Sequence, residues 1–211
     1  MFSKSLQYNY TFQIGRFWSN TLLFLAGTKL EVYGKDNIPN GPVLFVGNHR
    51  SWFDIPIVFK TIPYQAGFLV KDEIRKIPLF NWWISSVGCL FLDRKDVRKA
   101  MKTILTGVKY LKNGQSLVIF PEGTRCKLKN EMHTFKQGSL KLAEKANVAI
   151  VPFAINKSDY ILERNGLNVK STNASITFGA PITLNDLDTK TKKNSAHYVQ
   201  SIVKEMLKTS D

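Results

Sequence analysis

A histidine and an aspartate stand five residues apart in the segment from Asn48 to Asp54, whose sequence is NHRSWFD. A carboxylate on the Nδ1 nitrogen of an imidazole fixes its tautomer and stabilises the imidazolium that forms when Nε2 takes a proton. His49 is therefore a candidate general base, and Asp54 is its candidate orienting partner. Residues five apart diverge by about 140° on a helix and face opposite sides of a strand. The two side chains can meet only across a bend.

The flanking sequence predicts such a bend. Residues 43–47 form an apolar run typical of a buried strand, and Pro56 is tolerated in the first turn of a helix that begins near Asp54. In the alternative interpretation, Ser51 and Asp54 form a capping box, Asp54 satisfies only backbone donors, and His49 is an ordinary loop residue. Pro56 weighs against this alternative, because at the fifth helical position it would remove a hydrogen bond.

Three further segments complete the pattern. The first consists of two apolar runs, each followed by a basic residue. Lys71 ends the apolar run 68–70, and Arg94 follows the apolar run that ends at Leu92. Such strand ends are where sites usually form in α/β proteins, although a solvated surface charge is the alternative for each cation. The next segment, 120–125, reads FPEGTR, and its glycine permits close backbone approach. The last, 150–155, is an apolar strand that contains a proline.

These four segments, in this order, resemble the motifs of the glycerolipid acyltransferases, in particular those that act on 1-acyl-sn-glycerol-3-phosphate. The resemblance covers Val43 to Ile155. It implies transfer of a fatty acyl group from an acyl thioester, carried by acyl carrier protein or coenzyme A, to the sn-2 hydroxyl of a lysophospholipid acceptor, which gives phosphatidic acid. An activated thioester needs only a base that deprotonates the attacking alcohol. This suits a chain with His49 and Asp54 but no G-x-S-x-G serine.

The resemblance also implies a set of site residues. His49 and Asp54 are the expected catalytic pair. The expected substrate-binding residues are Lys71, Arg94, Glu122, Gly123, Thr124 and Arg125. The three cations suit a phosphate, which favours fixed charges and bidentate donors. Glu122 is expected to accept a hydrogen bond from a hydroxyl of the acceptor, and the alternative is that it pairs with Arg125 and stiffens the loop.

Two alternatives stay open. Glycerol-3-phosphate or another lysolipid would use the same residues, and a non-catalytic peripheral lipid-binding protein is a different class that would not need an intact His–Asp pair. Arg50 occupies a variable position in the first motif, and we expect it to point at water rather than to add to a phosphate site. We expect no metal, because Cys89 and Cys126 lack ligand spacing with the histidines. We expect no cofactor, because acyl transfer of this kind needs none. Two cysteines suit a reducing compartment.

The net charge of +14 is compatible with nucleic acids and with anionic membranes as partners. We expect no nucleic-acid partner, because the sequence has no zinc-finger spacing, RNA-binding signature or basic arm. Residues 1–30 contain seven aromatic residues, three basic residues and no acidic residue. Their longest uncharged stretch, residues 17–28, has twelve residues, fewer than the roughly 20 that span a bilayer.

This composition predicts one or two amphipathic helices lying in one leaflet, on the cytoplasmic face of the cell membrane. A cleavable signal peptide and a helix packed on the protein's own core are the alternatives. We expect an interfacial segment, 1–30, followed by an acyltransferase domain, 31–211.

Six apolar runs alternate with helical patterns, which predicts an α/β fold with a single mixed sheet flanked by helices. The clearest helix is expected over 97–111, and Asp96 precedes it. A second is expected over 196–207. A long acyl chain would also require a hydrophobic groove. Candidates for its wall or for membrane anchors are Trp52, Phe53, Phe80, Trp82 and Trp83.

Overall fold

The computed structural model describes residues 4–77, 80–128, 131–166 and 168–209. Its centre is one seven-stranded sheet in the order β1-β7-β6-β2-β5-β3-β4. The strands are β1 Lys29–Tyr33, β2 Leu44–Gly47, β3 Ala66–Lys71, β4 Leu90–Leu92, β5 Ser116–Ile119, β6 Ile150–Asn156 and β7 Asn173–Phe178. The pair β6–β7 is antiparallel and the other pairs are parallel, so the sheet is mixed, as predicted.

Helices cover both faces of this sheet. They are α1 Lys4–Leu25, α2 Asp54–Thr61, α3 Phe80–Ser86, α4 Val97–Lys112, α5 Lys141–Ala146, α6 Thr189–Lys193 and α7 Ser195–Thr209. Successive side chains of a strand point to opposite faces, and β2 shows the consequence. Phe45 belongs to the hydrophobic cluster beneath α1 and α2, whereas Leu44 and Val46 belong to the cluster beneath α4, α5 and α7. A strand buried on both faces reads as an unbroken apolar run, which is why its sequence predicted it well.

All six predicted strands are present, and β1 is the strand that the sequence did not indicate. Its sequence, KLEVY, is largely exposed to solvent and pairs only with β7, at the edge of the sheet. Such a strand lacks the apolar run that marks the others. The division of the chain at residue 30 stays a prediction, and β1 extends across that position.

The two predicted helices are also present. Asp96 caps α4, because its carboxylate accepts hydrogen bonds from the backbone N–H groups of Arg98 and Lys99. The C-terminal pattern forms α7. The polar stretch before it, residues 184–194, reads as a surface connection but contains the short helix α6.

The N-terminal sequence forms one helix, α1, with two different faces. Phe12 and Leu23 are completely buried, and the Arg16 guanidinium donates hydrogen bonds to the carbonyls of Phe59 in α2 and of Ile62 just after it. Packing on the protein's own core, the alternative for this segment, is therefore present on one face. The opposite face is exposed. Among the described residues, no helix has the length and hydropathy needed to cross a bilayer.

Candidate active site

The candidate site lies where neighbouring parallel strands end. The strands β2, β5, β3 and β4 are adjacent in that order, and their carboxyl ends lead into the segments that hold His49, Glu122 to Arg125, Lys71 and Arg94 respectively. Carboxyl ends of parallel strands meet at one edge of a sheet, where crevices form in α/β folds. The topology therefore gathers residues that are up to 76 positions apart, His49 and Arg125, at one edge.

The bend predicted between His49 and Asp54 is present. Chain reversal occurs between the end of β2 at Gly47 and the start of α2 at Asp54, with Pro56 at the third helical position. The Nδ1 atom of His49 lies 2.7 Å from Oδ2 of Asp54. Asp54 is completely buried, whereas the His49 side chain is 20% exposed. The imidazole is thus bound on its Nδ1 side, which leaves Nε2 for a substrate.

Part of the capping interpretation is also correct. The same Oδ2 atom accepts hydrogen bonds from the backbone N–H of Arg50 at 2.7 Å and of Ser51 at 2.9 Å. Its bond to Ser51 is the reach-back contact of a capping box. However, the residue before the helix is Phe53, which supplies no side-chain cap. Asp54 therefore satisfies backbone donors and orients His49 with one oxygen.

The third motif holds His49 in place. The backbone N–H of His49 donates to Oε1 of Glu122 at 2.6 Å, and its carbonyl accepts from the backbone N–H of Cys126 at 2.8 Å. The ring of Phe120 stacks on the imidazole with centroids 4.3 Å apart. His49 is consequently fixed through its ring and through both of its backbone polar groups.

A groove with a volume of about 470 Å³ opens beside His49. Six of the eight predicted site residues line it: His49, Lys71, Arg94, Gly123, Thr124 and Arg125. The other two are buried behind it, with exposures of 0% for Asp54 and 3% for Glu122. The rest of its lining is mainly apolar and includes Trp18, Leu22, Phe59, Phe68, Trp83, Ile84 and Cys89. The groove thus combines a few cations with a larger apolar wall that suits a hydrocarbon chain.

The turn at Gly123 allows a cation to lie against the backbone. Gly123 has φ +78°, and a Cβ atom added there would lie 2.9 Å from Nη1 of Arg94 and 3.1 Å from Nζ of Lys136. Glycine is needed at this position for its conformation and for its missing side chain. Lys136 is a cation at the turn that the sequence did not indicate. The third predicted cation, Lys71, has a carboxylate beside it: its Nζ atom lies 3.8 Å from Oε2 of Glu73. The substrate-binding roles of these residues stay predictions.

Glu122 is buried and bound by backbone amides. Its Oε2 accepts from the backbone N–H of His133 at 2.7 Å, and its Oε1 from that of His49. Burial raises the pKa of Glu122 to about 7, although both hydrogen bonds act in the opposite direction. A contact with an acceptor hydroxyl would have to share one of these oxygens, and that role stays a prediction. The Arg125 guanidinium pairs with Glu163 at 3.1 Å rather than with Glu122.

Glu163 is a residue of the site that sequence reasoning missed. Its carboxylate accepts hydrogen bonds from Oγ of Ser51 at 2.7 Å, from the backbone N–H of Trp52 at 2.8 Å and from Nη1 of Arg125. It thereby joins the first and third motifs. No local pattern marks it, because the residues that it binds lie 38 to 112 positions earlier in the chain.

Arg50 corrects one expectation. The side chain is 8% exposed, its Nη2 donates to the Leu128 carbonyl at 3.0 Å, and it lies 3.5 Å from Asp159. The expectation that it points at water is therefore wrong. The physical reason is that the loop after β6, which carries Asp159, folds over the first motif and covers this side chain.

Of the predicted aromatic residues, Trp52, Phe53 and Trp83 line the groove. Trp83 also contacts Trp18 of α1, with centroids 6.1 Å apart. Trp82 is 70% exposed. The side chain of Phe80 lies outside the described part of the structure.

Comparison with known proteins defines the class of this fold and site. A family model described as Acyltransferase matches residues 29–156. The chain belongs to this acyltransferase family. The match includes the four motifs and begins at β1.

Similar proteins carry more particular names. A 1-acyl-sn-glycerol-3-phosphate acyltransferase of Borreliella burgdorferi is 33% identical over 68% of this chain and 57% of its own length. A probable enzyme of the same name in Mycoplasma pneumoniae is 34% identical over 63% of this chain and 51% of its own length. Another, in Mycoplasma genitalium, is 30% identical over 95% of this chain and 80% of its own length. The chain thus spans just over half the length of the first two relatives.

A crystal structure of the 1-acyl-sn-glycerophosphate acyltransferase of Thermotoga maritima superimposes with a TM-score of 0.83. It covers 99% of this chain and 83% of the other, at 24% sequence identity. This likeness confirms the fold.

Proposed function

We propose that the chain transfers a fatty acyl group from an acyl thioester to the sn-2 hydroxyl of 1-acyl-glycerol-3-phosphate, which gives phosphatidic acid. The observation that carries this proposal is that a His49–Asp54 pair opens onto the same groove as Lys71, Arg94 and Arg125. A base, a cationic end and an apolar end are the three parts that such a transfer requires. The names of the similar proteins support the acceptor.

The chemical step needs one proton transfer and no enzyme nucleophile. Nε2 of His49 accepts the proton of the acceptor hydroxyl as its oxygen attacks the thioester carbonyl. The carbon–oxygen bond forms, the carbon–sulfur bond breaks, and the proton leaves with the thiolate as a thiol. Asp54 keeps Nδ1 protonated and stabilises the imidazolium during the transfer. A positioned base of this kind contributes about 10²–10⁴ to the rate.

The cations at the groove position the acceptor. Its phosphate binds at Lys71, Arg94 and Arg125, where guanidinium groups offer paired donors. The missing side chain at Gly123 lets Arg94 lie directly over the turn that follows β5. Thr124 supplies a hydroxyl at the same wall. The acceptor hydroxyl is then held near Nε2 of His49.

The apolar part of the groove takes the acyl chain. Phe59, Phe68 and Trp83 form its wall, and Trp18 and Leu22 extend that wall onto α1. Each methylene group that leaves water there contributes about 0.8 kcal/mol. A fatty acyl chain is therefore bound by the same helix that forms the N-terminal segment.

The outer face of α1 binds the membrane. Six large apolar side chains are exposed on it: Tyr10, Ile14, Phe17, Trp18, Phe24 and Leu25. On a helical projection they fall on one side, opposite the buried Phe12, Ser19 and Leu23. The net charge of +14 adds attraction to anionic lipid, worth about 1 kcal/mol for each cation at the surface. We infer a peripheral or monotopic protein on the cytoplasmic face, with residues 1–30 as its interfacial segment and 31–211 as its acyltransferase domain.

A direct assay tests this proposal. Purified protein is incubated with lysophosphatidic acid and a long-chain acyl thioester of coenzyme A or acyl carrier protein, beside glycerol-3-phosphate and other lysolipids as acceptors. His49→Ala is expected to lower the rate by at least about 10². His197→Ala, on the exposed side of α7, is the matched control and should retain full activity. Equal turnover by His49→Ala would remove this residue from the mechanism, and the absence of turnover in the wild type would favour a lipid-binding protein.

A further inference from the structure

A second cavity, of about 310 Å³, lies beside the groove. Trp52 and Arg125 line both spaces and form the wall between them. The charged residues that line the second cavity are Arg50, Arg125, Lys127, Asp159, Glu163 and Arg164. Of the three cations assigned to the acceptor phosphate, Lys71 and Arg94 do not line this cavity, and Arg125 does so from the wall that the two spaces share.

The cavity has more positive charge than its carboxylates neutralise. Four cations face two acids. Asp159 accepts from Nε of Arg164 at 2.6 Å and is also the carboxylate nearest to Arg50, at 3.5 Å. Glu163 is shared between Arg125 and two donors of the first motif. Both carboxylates thus already pair with these cations, and two positive charges remain.

Two guanidinium nitrogens of residues that line the cavity are also buried without a hydrogen-bond partner in the described part of the chain. They are Nε of Arg50 and Nη2 of Arg164. A buried N–H group that lacks an acceptor is costly, and an anion that enters the cavity would offset this cost. Guanidinium groups favour phosphate, which they can bind through two parallel hydrogen bonds. The chemistry of the cavity is therefore that of a phosphate site.

Its location indicates which phosphate. The backbone N–H of Cys126, a lining residue of the cavity, donates to the His49 carbonyl at 2.8 Å, so the cavity lies directly behind the proposed base. In the proposed reaction the acyl chain lies in the groove and the thioester lies at His49. The sulfur then continues into a flexible pantetheine arm that ends in a phosphate, in coenzyme A and in acyl carrier protein alike. That arm must leave by a path that the acceptor does not occupy.

We propose that this cavity binds the phosphate of the acyl donor's phosphopantetheine arm through Arg50, Lys127 and Arg164. The inference rests on the proposed function. It assigns separate phosphate sites to the two substrates, on opposite sides of the wall formed by Trp52 and Arg125. Donor and acceptor can then be bound together without competition between their phosphates.

The test separates donor affinity from acceptor affinity. Lys127→Gln removes an exposed charge of the cavity, and Arg164→Gln removes one that pairs with Asp159. Each is expected to raise the KM for acyl-coenzyme A by about tenfold, because a charged hydrogen bond is lost. The KM for lysophosphatidic acid should stay within about twofold, as should the KM for an acyl-pantetheine donor without phosphate. Acyl carrier protein should behave like coenzyme A.

Arg98→Gln is the matched control, because it removes an exposed cation from the first turn of α4. Its KM values should equal those of the wild type. Thermal unfolding of each variant excludes a loss of folding as the cause. An unchanged KM for acyl-coenzyme A in both cavity variants would overturn the proposal. So would a rise confined to lysophosphatidic acid, because the cavity would then bind the acceptor.

Failure of the phosphate-site proposal can be distinguished from failure of the proposed function. If the wild type shows no turnover, that function is wrong, and the cavity is tested by calorimetric titration with coenzyme A. Binding by the wild type that weakens about tenfold in Lys127→Gln, but not in Arg98→Gln, would support the phosphate site. Equal binding by all three proteins, or none by the wild type, would overturn it.

Discussion

Glu122→Gln tests how the buried carboxylate supports the site. Its two oxygens accept backbone N–H bonds at 2.6 and 2.7 Å, from His49 and His133. Glutamine keeps the shape of the side chain but turns one acceptor into an NH₂ donor. One of the two backbone donors then faces another donor, and leaving a buried group unsatisfied costs about 1–3 kcal/mol. We expect a loss of stability of this size in the range where Glu122 is ionised.

The loss should depend on pH, with a definite sign. Burial raises the pKa of Glu122 from 4.5 to about 7, so between these values the native state holds a proton that the unfolded state has released. The contribution of this group to stability is therefore complete below about pH 4.5 and is lost as pH rises through about 7. Its size corresponds to roughly 3 kcal/mol. Glutamine does not titrate, so this contribution is absent from the variant.

Urea unfolding at pH 5 and pH 8 measures both effects. The wild type should exceed Glu122→Gln in unfolding free energy by more at pH 5 than at pH 8, by roughly 2.5 kcal/mol. Other titrating groups cancel in the difference between the two proteins. A difference that is the same at both pH values would refute the reasoning, because it would mean that the two backbone hydrogen bonds outweigh burial and keep the carboxylate ionised.

Three further predictions concern the groove and the membrane face. Asp54→Asn should lower kcat by at least about 10² in steady-state assays, with the KM of both substrates nearly unchanged, because the imidazolium loses its partner. Gly123→Ala should raise the KM for lysophosphatidic acid by about tenfold, since φ is +78° and Cβ meets a guanidinium at 2.9 Å. Gly138→Ala, at a position with open space, is its control. Replacing Phe17 and Phe24 by Ser should weaken sedimentation with anionic vesicles by about 100-fold, and unchanged binding would contradict the orientation proposed for α1.

Much of the fold was predictable because buried parallel strands have unbroken apolar sequences. The runs at β2, β5 and β6 are buried along nearly their whole length, and their residue types alone indicate strands. The edge strand β1 was not predictable in this way, because its burial depends on a single neighbour, β7. Edge strands carry little local signal, and only the tertiary pairing identifies them.

The site shows the same division between local and distant information. His49 and Asp54 were predictable because one bend joins them and both residue types suit the chemistry. The contacts of Arg50 and Glu163 were not, since each depends on how the loop after β6 folds across the first motif, more than 100 positions away in the chain. Charged residues in such a loop resemble solvated surface charges until their partners are known.

The N-terminal helix could not be assigned from its sequence because both of its faces are apolar. A helix that packs on a core and a helix that lies in a membrane each require one apolar face, and α1 has large apolar side chains on both faces. The two alternatives are therefore compatible. Trp18 connects them, because it lines the groove and is also 46% exposed on the outer face. If that face lies in the leaflet as proposed, the groove opens at the depth of the lipid acyl chains. A lysophospholipid or an acyl chain can then enter the groove from the bilayer without transferring its hydrocarbon through water, a transfer that costs about 0.8 kcal/mol for each methylene group.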